Sequence, residues 1–285
     1  MKDNKRISVG RAVMWILVST LFFSGSAFMG WLYYLHIKGR KYHDDQYRIV
    51  ALVQSTPQAG SLKTVYLAEV LGLSVDHPEN LYQFDAHAAT GAMLANPLIK
   101  DAVIRKILPG TLYVHYCLRV PCAVAADFTN TVIDDEGYLF PYKPFFTPKR
   151  LPSIALGIKE SECKWGACVK DRLPVQLAFE LISEFEKLEQ DQFSLKHVDA
   201  VNANGGSYGR REIVLILEEK HPSTQSQSPG SNSEVYLRLG ADHWARDLAN
   251  FSVLQSALLK GMKAEEKSSS MVIDFRVPHL AFLRR

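Results

Sequence analysis

The sequence predicts an α+β protein carried on a single N-terminal transmembrane helix. Three observations lead there. Residues Ala12 to Ile37 contain no Asp, Glu, Lys or Arg. Beyond them, short segments of alternating apolar and polar residues are joined by turn residues, the pattern of hairpins. The helical segments are grouped between these strands rather than alternating with them one by one, which points to α+β rather than repeated β-α units.

The uncharged run, AVMWILVSTLFFSGSAFMGWLYYLHI, is mostly apolar. About 20 such residues cross a hydrocarbon core of about 30 Å as a helix. Trp15 at one end and Trp31, Tyr33 and Tyr34 at the other suit the interfacial aromatic belts. A cleaved signal peptide ending at Ser24-Gly25-Ser26 is the rival reading, but the apolar run continues too far beyond that site. Lys2, Lys5, Arg6 and Arg11 precede the span, and Lys38, Arg40 and Lys41 follow it before Asp44 and Asp45. This slight basic bias puts residues 1–11 in the cytoplasm and the bulk of the chain outside it, on the cytoplasmic (inner) membrane. Residues 38–46 read as a polar juxtamembrane linker.

Tyr47 to Val53 reads as a first strand, closed by Ser55-Thr56-Pro57. Ser61 to Leu71 has helical spacing and Gly72 as a stop. Asp85 is the expected N-cap of a second helix, Ala86 to Ala95, ended by Asn96-Pro97. Lys100 to Leu108 and Thr111 to Val120 form a hairpin through Pro109-Gly110. In its second strand Leu112, Val114, Tyr116, Leu118 and Val120 face inward, and Thr111, Tyr113, His115, Cys117 and Arg119 lie on the wetter face. Residues 47–120 thus read strand, helix, helix, strand, strand.

From Pro121 a second, mixed β-rich region begins. Thr131 to Ile133 and Tyr138 to Phe140 make a hairpin around Asp134-Asp135-Glu136-Gly137. Residues 141–172 carry several prolines and read as irregular. Leu173 to Leu188 is a helix with an apolar stripe of Leu177, Leu181, Phe185 and Leu188. Phe193 to Asn202 and Glu212 to Leu217 pair around Asn204-Gly205-Gly206. Lys220 to Ser233 has the composition of a flexible insert. Val235 to Leu239 is a strand, Ala241 to Leu259 a helix, and Met271 to Val277 a closing strand, followed by a tail at 281–285.

A net charge of +3, from 33 basic and 30 acidic side chains, is too balanced for a nucleic-acid surface. Phosphate loops, nucleophile elbows and zinc-protease helices are absent as motifs. Asp134-Asp135-Glu136 offers carboxylates to a cation but is accounted for by a turn, and Asp85 with His87 by a helix cap and an exposed helix position. The sequence therefore gives no catalytic, cofactor or metal residues, and the reading is non-enzymatic. Cys117, Cys122, Cys163 and Cys168 permit two disulfides. Short separation favours Cys163 with Cys168 and Cys117 with Cys122, with buried free thiols as the alternative.

The residues from Asn80 to Phe140 resemble the FtsQ/DivIB family of bacterial cell-division proteins. NLYQFD resembles its Asn-Leu-Phe-x-x-Asp region, and NPLIKDAVIRKILPGTLYVHY its helix-to-hairpin pattern. LRVPCA resembles Glu-Arg-x-Pro-Val-Ala, and VIDDEGYLF resembles Leu-Ile-Asp-x-x-Gly-x-x-Phe; EVYLRLG and VIDFRV resemble its closing strands. Leu118 stands where that family has glutamate, Leu98 and Leu108 where it often has tryptophan. The resemblance implies a POTRA domain over 47–120, a β domain over 121–280, and a divisome scaffold at the division site. It also implies partners like FtsB and FtsL and the septal peptidoglycan synthesis machinery. A single-pass POTRA-bearing chaperone or transport component is the alternative. Within this frame the strand Met271, Ile273, Phe275, Arg276, Val277, with Tyr236 beside it, is expected at the sheet edge, with no following strand to cover it.

Overall fold

A computed structural model describes residues 9–58, 60–74, 76–147, 150–159, 162, 164–188, 192–220, 234–261 and 270–284. The architecture is α+β, with one long apolar N-terminal helix and two sheets. Contacts divide it into two compact units, Met1–Met93 with Ala102–Tyr116, and Leu94–Asp101 with Cys117–Arg285.

Helix α1 runs Val9–His43, and its stretch Val13–His43 is long and apolar enough to cross a membrane. Its 35 residues extend about 52 Å at about 1.5 Å each, well beyond a hydrocarbon core. The hydroxyls of Ser19, Thr20, Ser24 and Ser26 donate to the carbonyls three residues earlier, at 2.9–3.2 Å. Each Ser and Thr hydroxyl in the apolar run is thereby satisfied within the helix. The expected linker at 38–46 is helical as far as His43, and only then gives way to a 3-10 turn, Asp45–Tyr47. Lys38, Arg40 and Lys41 carry no apolar stripe to betray a helix, yet they are good helix formers, and Arg40, Lys41 and His43 complement the negative end of the dipole.

The chain continues with β1 (Ala51–Ser55), α2 (Thr64–Val70), α3 (Ala86–Leu94), β2 (Ile99–Ile107) and β3 (Thr111–Leu118), most of whose residues belong to the first unit. The sheet order is β1-β3-β2, with β1 parallel to β3. The first strand starts at Ala51, not Tyr47, because Tyr47 closes the 3-10 turn. Helix α2 stops as expected at Gly72, whose φ of +69° is the left-handed cap conformation. Asp85 caps α3: its Oδ1 accepts from the N–H groups of His87 (2.9 Å) and Ala88 (3.1 Å). Those bonds to the charged form hold its carboxyl below the usual range. In β3 Leu112, Val114, Tyr116 and Leu118 are buried in strict alternation, whereas Val120 lies past the strand and is exposed. Tyr116 is fully buried, so its hydroxyl needs partners; it donates to Gln54 Oε1 (3.0 Å) and accepts from Leu62 N–H (2.8 Å).

The second unit is built on a nine-stranded sheet in the order β12-β11-β10-β9-β8-β7-β4-β5-β6. Its strands are β4 (Ala123–Ala125), β5 (Thr131–Ile133), β6 (Leu139–Pro141), β7 (Ser153–Ala155), β8 (Phe193–Asp199), β9 (Ile213–Glu219), β10 (Glu234–Leu239), β11 (Met271–Asp274) and β12 (Phe282–Arg284). Helices α4 (Leu173–Lys187) and α5 (Trp244–Gly261) pack on one face, α4 against β7 and β8, α5 against β10. Strands β4, β7 and β12 depart from the sequence expectation, which has no strand between Pro121 and Thr131, an irregular 141–172 and a tail at 281–285. The buried stripe of α4 is Val175, Ala178, Leu181 and Phe185, with Leu177 and Leu188 only at its margin. Facing it are Val198, Leu215, Leu217, Leu237, Leu239 and Ile273, all buried. Each such Leu, Val, Ile or Phe stabilises the fold by about 1.5–3 kcal/mol. The insert at 221–233, the tail at 1–8 and Cys163 lie outside the described residues.

Candidate partner-binding edge

The nine-stranded sheet ends differently on its two sides. At β6 the margin is closed by a neighbouring segment: Leu139 N–H donates to Ala167 O (3.0 Å), Gly166 N–H to Leu139 O (2.7 Å), and Val169 N–H to Gly137 O (2.8 Å). Gly137 has φ +85°, and a Cβ there would meet Lys170 Cβ at 2.7 Å, so only glycine fits this closure. At the other side β12 pairs antiparallel with β11, Val272 opposite Arg284 and Asp274 opposite Phe282. Among the described residues no strand pairs with its outer side.

This corrects the expected edge. Strand β11 lies between β10, to which it is parallel, and β12, so Met271, Ile273 and Phe275 belong to the interior. All three are buried in the core. The strand ends at Asp274 rather than Val277, although Phe275 N–H still donates to Arg238 O (2.8 Å). The strand has ended before Pro278, and the chain turns back through Leu280 N–H to Val277 O (3.2 Å) and His279 at φ +65°. The returning residues Phe282 (55% exposed) and Leu283 (56%) form the edge that was assigned to β11. The missed signal is the apolar trio Leu280, Phe282 and Leu283, whose exposed positions show no inward alternation.

Arg276 and Tyr236 do lie on the sheet's outer face, among a lattice of ion pairs. Arg276 Nη2 donates to Asp274 Oδ2 (2.8 Å) and its Nη1 lies 3.5 Å from Glu212. Arg238 bonds Glu212 through Nε (2.9 Å) and Nη2, and stands 3.5 Å from Asp274. Burial works against the Asp274 carboxylate, but the Arg276 bonds and the charge of Arg238 outweigh it, leaving its pKa below the usual range. Tyr236 donates its hydroxyl to Glu234 (2.8 Å), whose other oxygen takes Lys196 at 2.5 Å. A groove of about 660 Å³ runs across Tyr236, Arg238, Val272, Phe282 and Arg284. A second cleft of about 440 Å³, with Val277 in its wall, lies beside His243, Arg276 and Phe282. An extended peptide along β12 would find unpaired backbone groups, an apolar ring at Phe282 and a basic side chain at Arg284.

The remaining sequence candidates have structural roles. Asp134 is 1% exposed and accepts from Arg119 Nη1 (2.7 Å), Tyr138 N–H (2.7 Å) and Glu136 N–H (3.1 Å). Arg119 lies over the Tyr138 ring at 3.8 Å and reaches Glu136 at 3.4 Å, which in turn bonds Lys100 at 2.8 Å. Arg119, expected on the wetter face of its strand, is instead only 11% exposed and organises the turn. Among the described residues no group of three His, Cys, Asp or Glu side chains is placed to hold a metal ion.

Cys117, Cys122 and Cys168 are free thiols, which corrects the Cys117–Cys122 pairing; Cys163, the other half of the second pairing, is not among the described residues. Cys122 is instead turned to Ile133 O (3.1 Å), and burial, with Asp134 and Asp135 nearby, pushes its thiol up to about 12. Ser153, on the short strand β7, lies 2.7 Å from His197 Nδ1 and also donates to Lys196 O (3.1 Å), tying β7 to β8.

No protein-family model matches the chain, and no curated protein matches it.

Proposed function

We propose that this protein is a non-enzymatic, single-pass membrane scaffold of the cell-division machinery, of the FtsQ/DivIB kind. In this reading α1 is the anchor, residues 47–120 are a POTRA domain, and 121–280 with the strand beyond it form the β domain. The bulk of the chain lies outside the cytoplasm. The partners are FtsB-like and FtsL-like proteins, through which the scaffold helps to control septal peptidoglycan synthesis at the division site. The observation that carries the reading is the open edge at β12, set against a closed edge at β6. Strand addition there supplies affinity through the main chain, and Phe282, Arg284 and the Tyr236–Arg238 face supply selectivity.

The test is binding of the extracytoplasmic segments of FtsB-like and FtsL-like partners to the full chain. Removal of residues 282–285 is expected to weaken binding at least about tenfold, or about 1.4 kcal/mol. Phe282→Ala is expected to weaken it less, and Arg276→Glu to alter selectivity by breaking the ion-pair lattice. Unchanged affinity in the folded truncation refutes the edge mechanism. Phe275→Pro is unsuitable here, because the Phe275 N–H holds β10 rather than a partner.

A further inference from the structure

The end of α1 is bound to the first unit without slack. The last residue of the uncharged run is Ile37, and the helix continues six residues to His43, about 9 Å. Asn80 Nδ2 donates to Lys41 O (3.1 Å) and Asp44 O (3.2 Å), and Gln83 Nε2 to Tyr42 O (3.2 Å). The Lys41 ammonium sits 5.5 Å from the centre of the Tyr82 ring, which meets Tyr47 edge-on at 4.9 Å. Arg48 bridges to Asn80, and the N–H groups of Val50 and Ala51 donate to Gly110 O (2.9 and 3.3 Å). The β2–β3 turn is therefore stitched to the segment that leaves α1, and this is the α1 end of the small sheet. The opposite end is marked by Gln54, whose amide donates to Thr64 at the start of α2 (3.2 Å).

At the α1 end Val50 is 82% exposed, Leu108 61% and Ile107 47%. Basic residues precede them along the chain: Lys38 and Arg40 on the last turns of α1, and Arg48, whose charge is partly met by Asp45 at 2.8 Å. Apolar side chains with a basic fringe, held within a few residues of an apolar helix, match an interface of hydrocarbon below and anionic headgroups above. We propose that this end of the sheet, with Val50 and Leu108 at its centre, rests on the anionic surface of the bilayer that α1 crosses. The inference rests on the reading of α1 as a membrane anchor. It goes beyond that reading in giving the first unit a fixed contact with lipid, apolar through Val50 and Leu108 and electrostatic through the lysines and arginines.

The experiment uses the full chain in vesicles of phosphatidylcholine with phosphatidylglycerol. The photo-crosslinker p-benzoylphenylalanine is placed singly at positions 29, 50, 108 and 65, and lipid adducts are measured by mass. Met29 lies within α1, and Val65 is comparably exposed (70%) but at the opposite end of the sheet. Adducts are expected at 29, and at 50 and 108 at several times the yield at 65. Raised salt is expected to lower the yields at 50 and 108 while sparing position 29. Adducts at 29 with yields at 50 and 108 no higher than at 65 overturn the inference and leave the anchor intact. Loss of adducts at 29 as well overturns both. Adducts to protein in place of lipid at 50 and 108 also overturn it.

Discussion

Replacing Asp134 by alanine should destabilise the second unit more than any exposed substitution. The carboxylate is 1% exposed and holds three donors: the Arg119 guanidinium and the N–H groups of Glu136 and Tyr138. Arg119 is itself only 11% exposed, so its charge cannot be rehydrated when its partner is lost. What remains to it is Glu136 at 3.4 Å and the Tyr138 ring. Breaking one side of a buried pair costs about 3–5 kcal/mol, chiefly through the stranded charge. At about 2–4 °C per kcal/mol this lowers Tm by roughly 6–20 °C. Asp134→Asn keeps an acceptor for the two N–H groups and should fall between alanine and wild type. Arg119→Met added to Asp134→Ala removes the stranded charge and should recover at least about 2 kcal/mol relative to additivity. Thermal and denaturant unfolding of the full chain in detergent, followed by tryptophan fluorescence, measures wild type, these three variants and Arg119→Met alone, which completes the cycle. Asp134→Ala within about 1 kcal/mol of wild type, or a cycle additive within about 0.5 kcal/mol, would refute the reasoning.

Two further outcomes are expected. The Asp274 carboxyl is ionised more readily in the folded protein than its usual value of 3.8, so its contribution is fully present above that pH and is lost as pH falls through the depressed folded value. The stability difference between wild type and Asp274→Asn should therefore be constant at neutral pH and vanish in strong acid; a difference that persists at the lowest pH tested rules this out. For the thiols, alkylation at pH 8 followed by peptide mapping should label exposed Cys168 and leave Cys122, whose thiol is pushed up to about 12, unreacted in the folded chain. Equal labelling of the two would contradict the burial of Cys122.

The elements that could be read from the sequence are those whose burial leaves a period. Strand β3 buries one face only, so its alternation was visible, and α4 shows an apolar stripe, shifted only at its margins. Strands β4 and β7 are three residues each, too short to establish a period, and their pairings are nonlocal, β4 with β7 across the β5–β6 hairpin and β7 with β8 across α4. The Asp85 cap and the turn at Asp134 are local hydrogen-bond chemistry and were legible, but Arg119 owes its importance to a partner 15 residues away. The candidate edge was placed one strand too far inward for the same reason. Exposed Phe282 and Leu283 carry no burial pattern, and only the return of the chain after His279 shows that they pair.

The unequal ends of the nine-stranded sheet bear on self-assembly. A sheet with two open edges can stack copies head to tail without limit, the geometry of a fibre. Here the segment 166–169 occupies the β6 side, so a copy that docks at β12 offers that sheet no second site for the next. Through this sheet the protein can form a closed pair with one other strand, of its own kind or another, and polymerisation stops there.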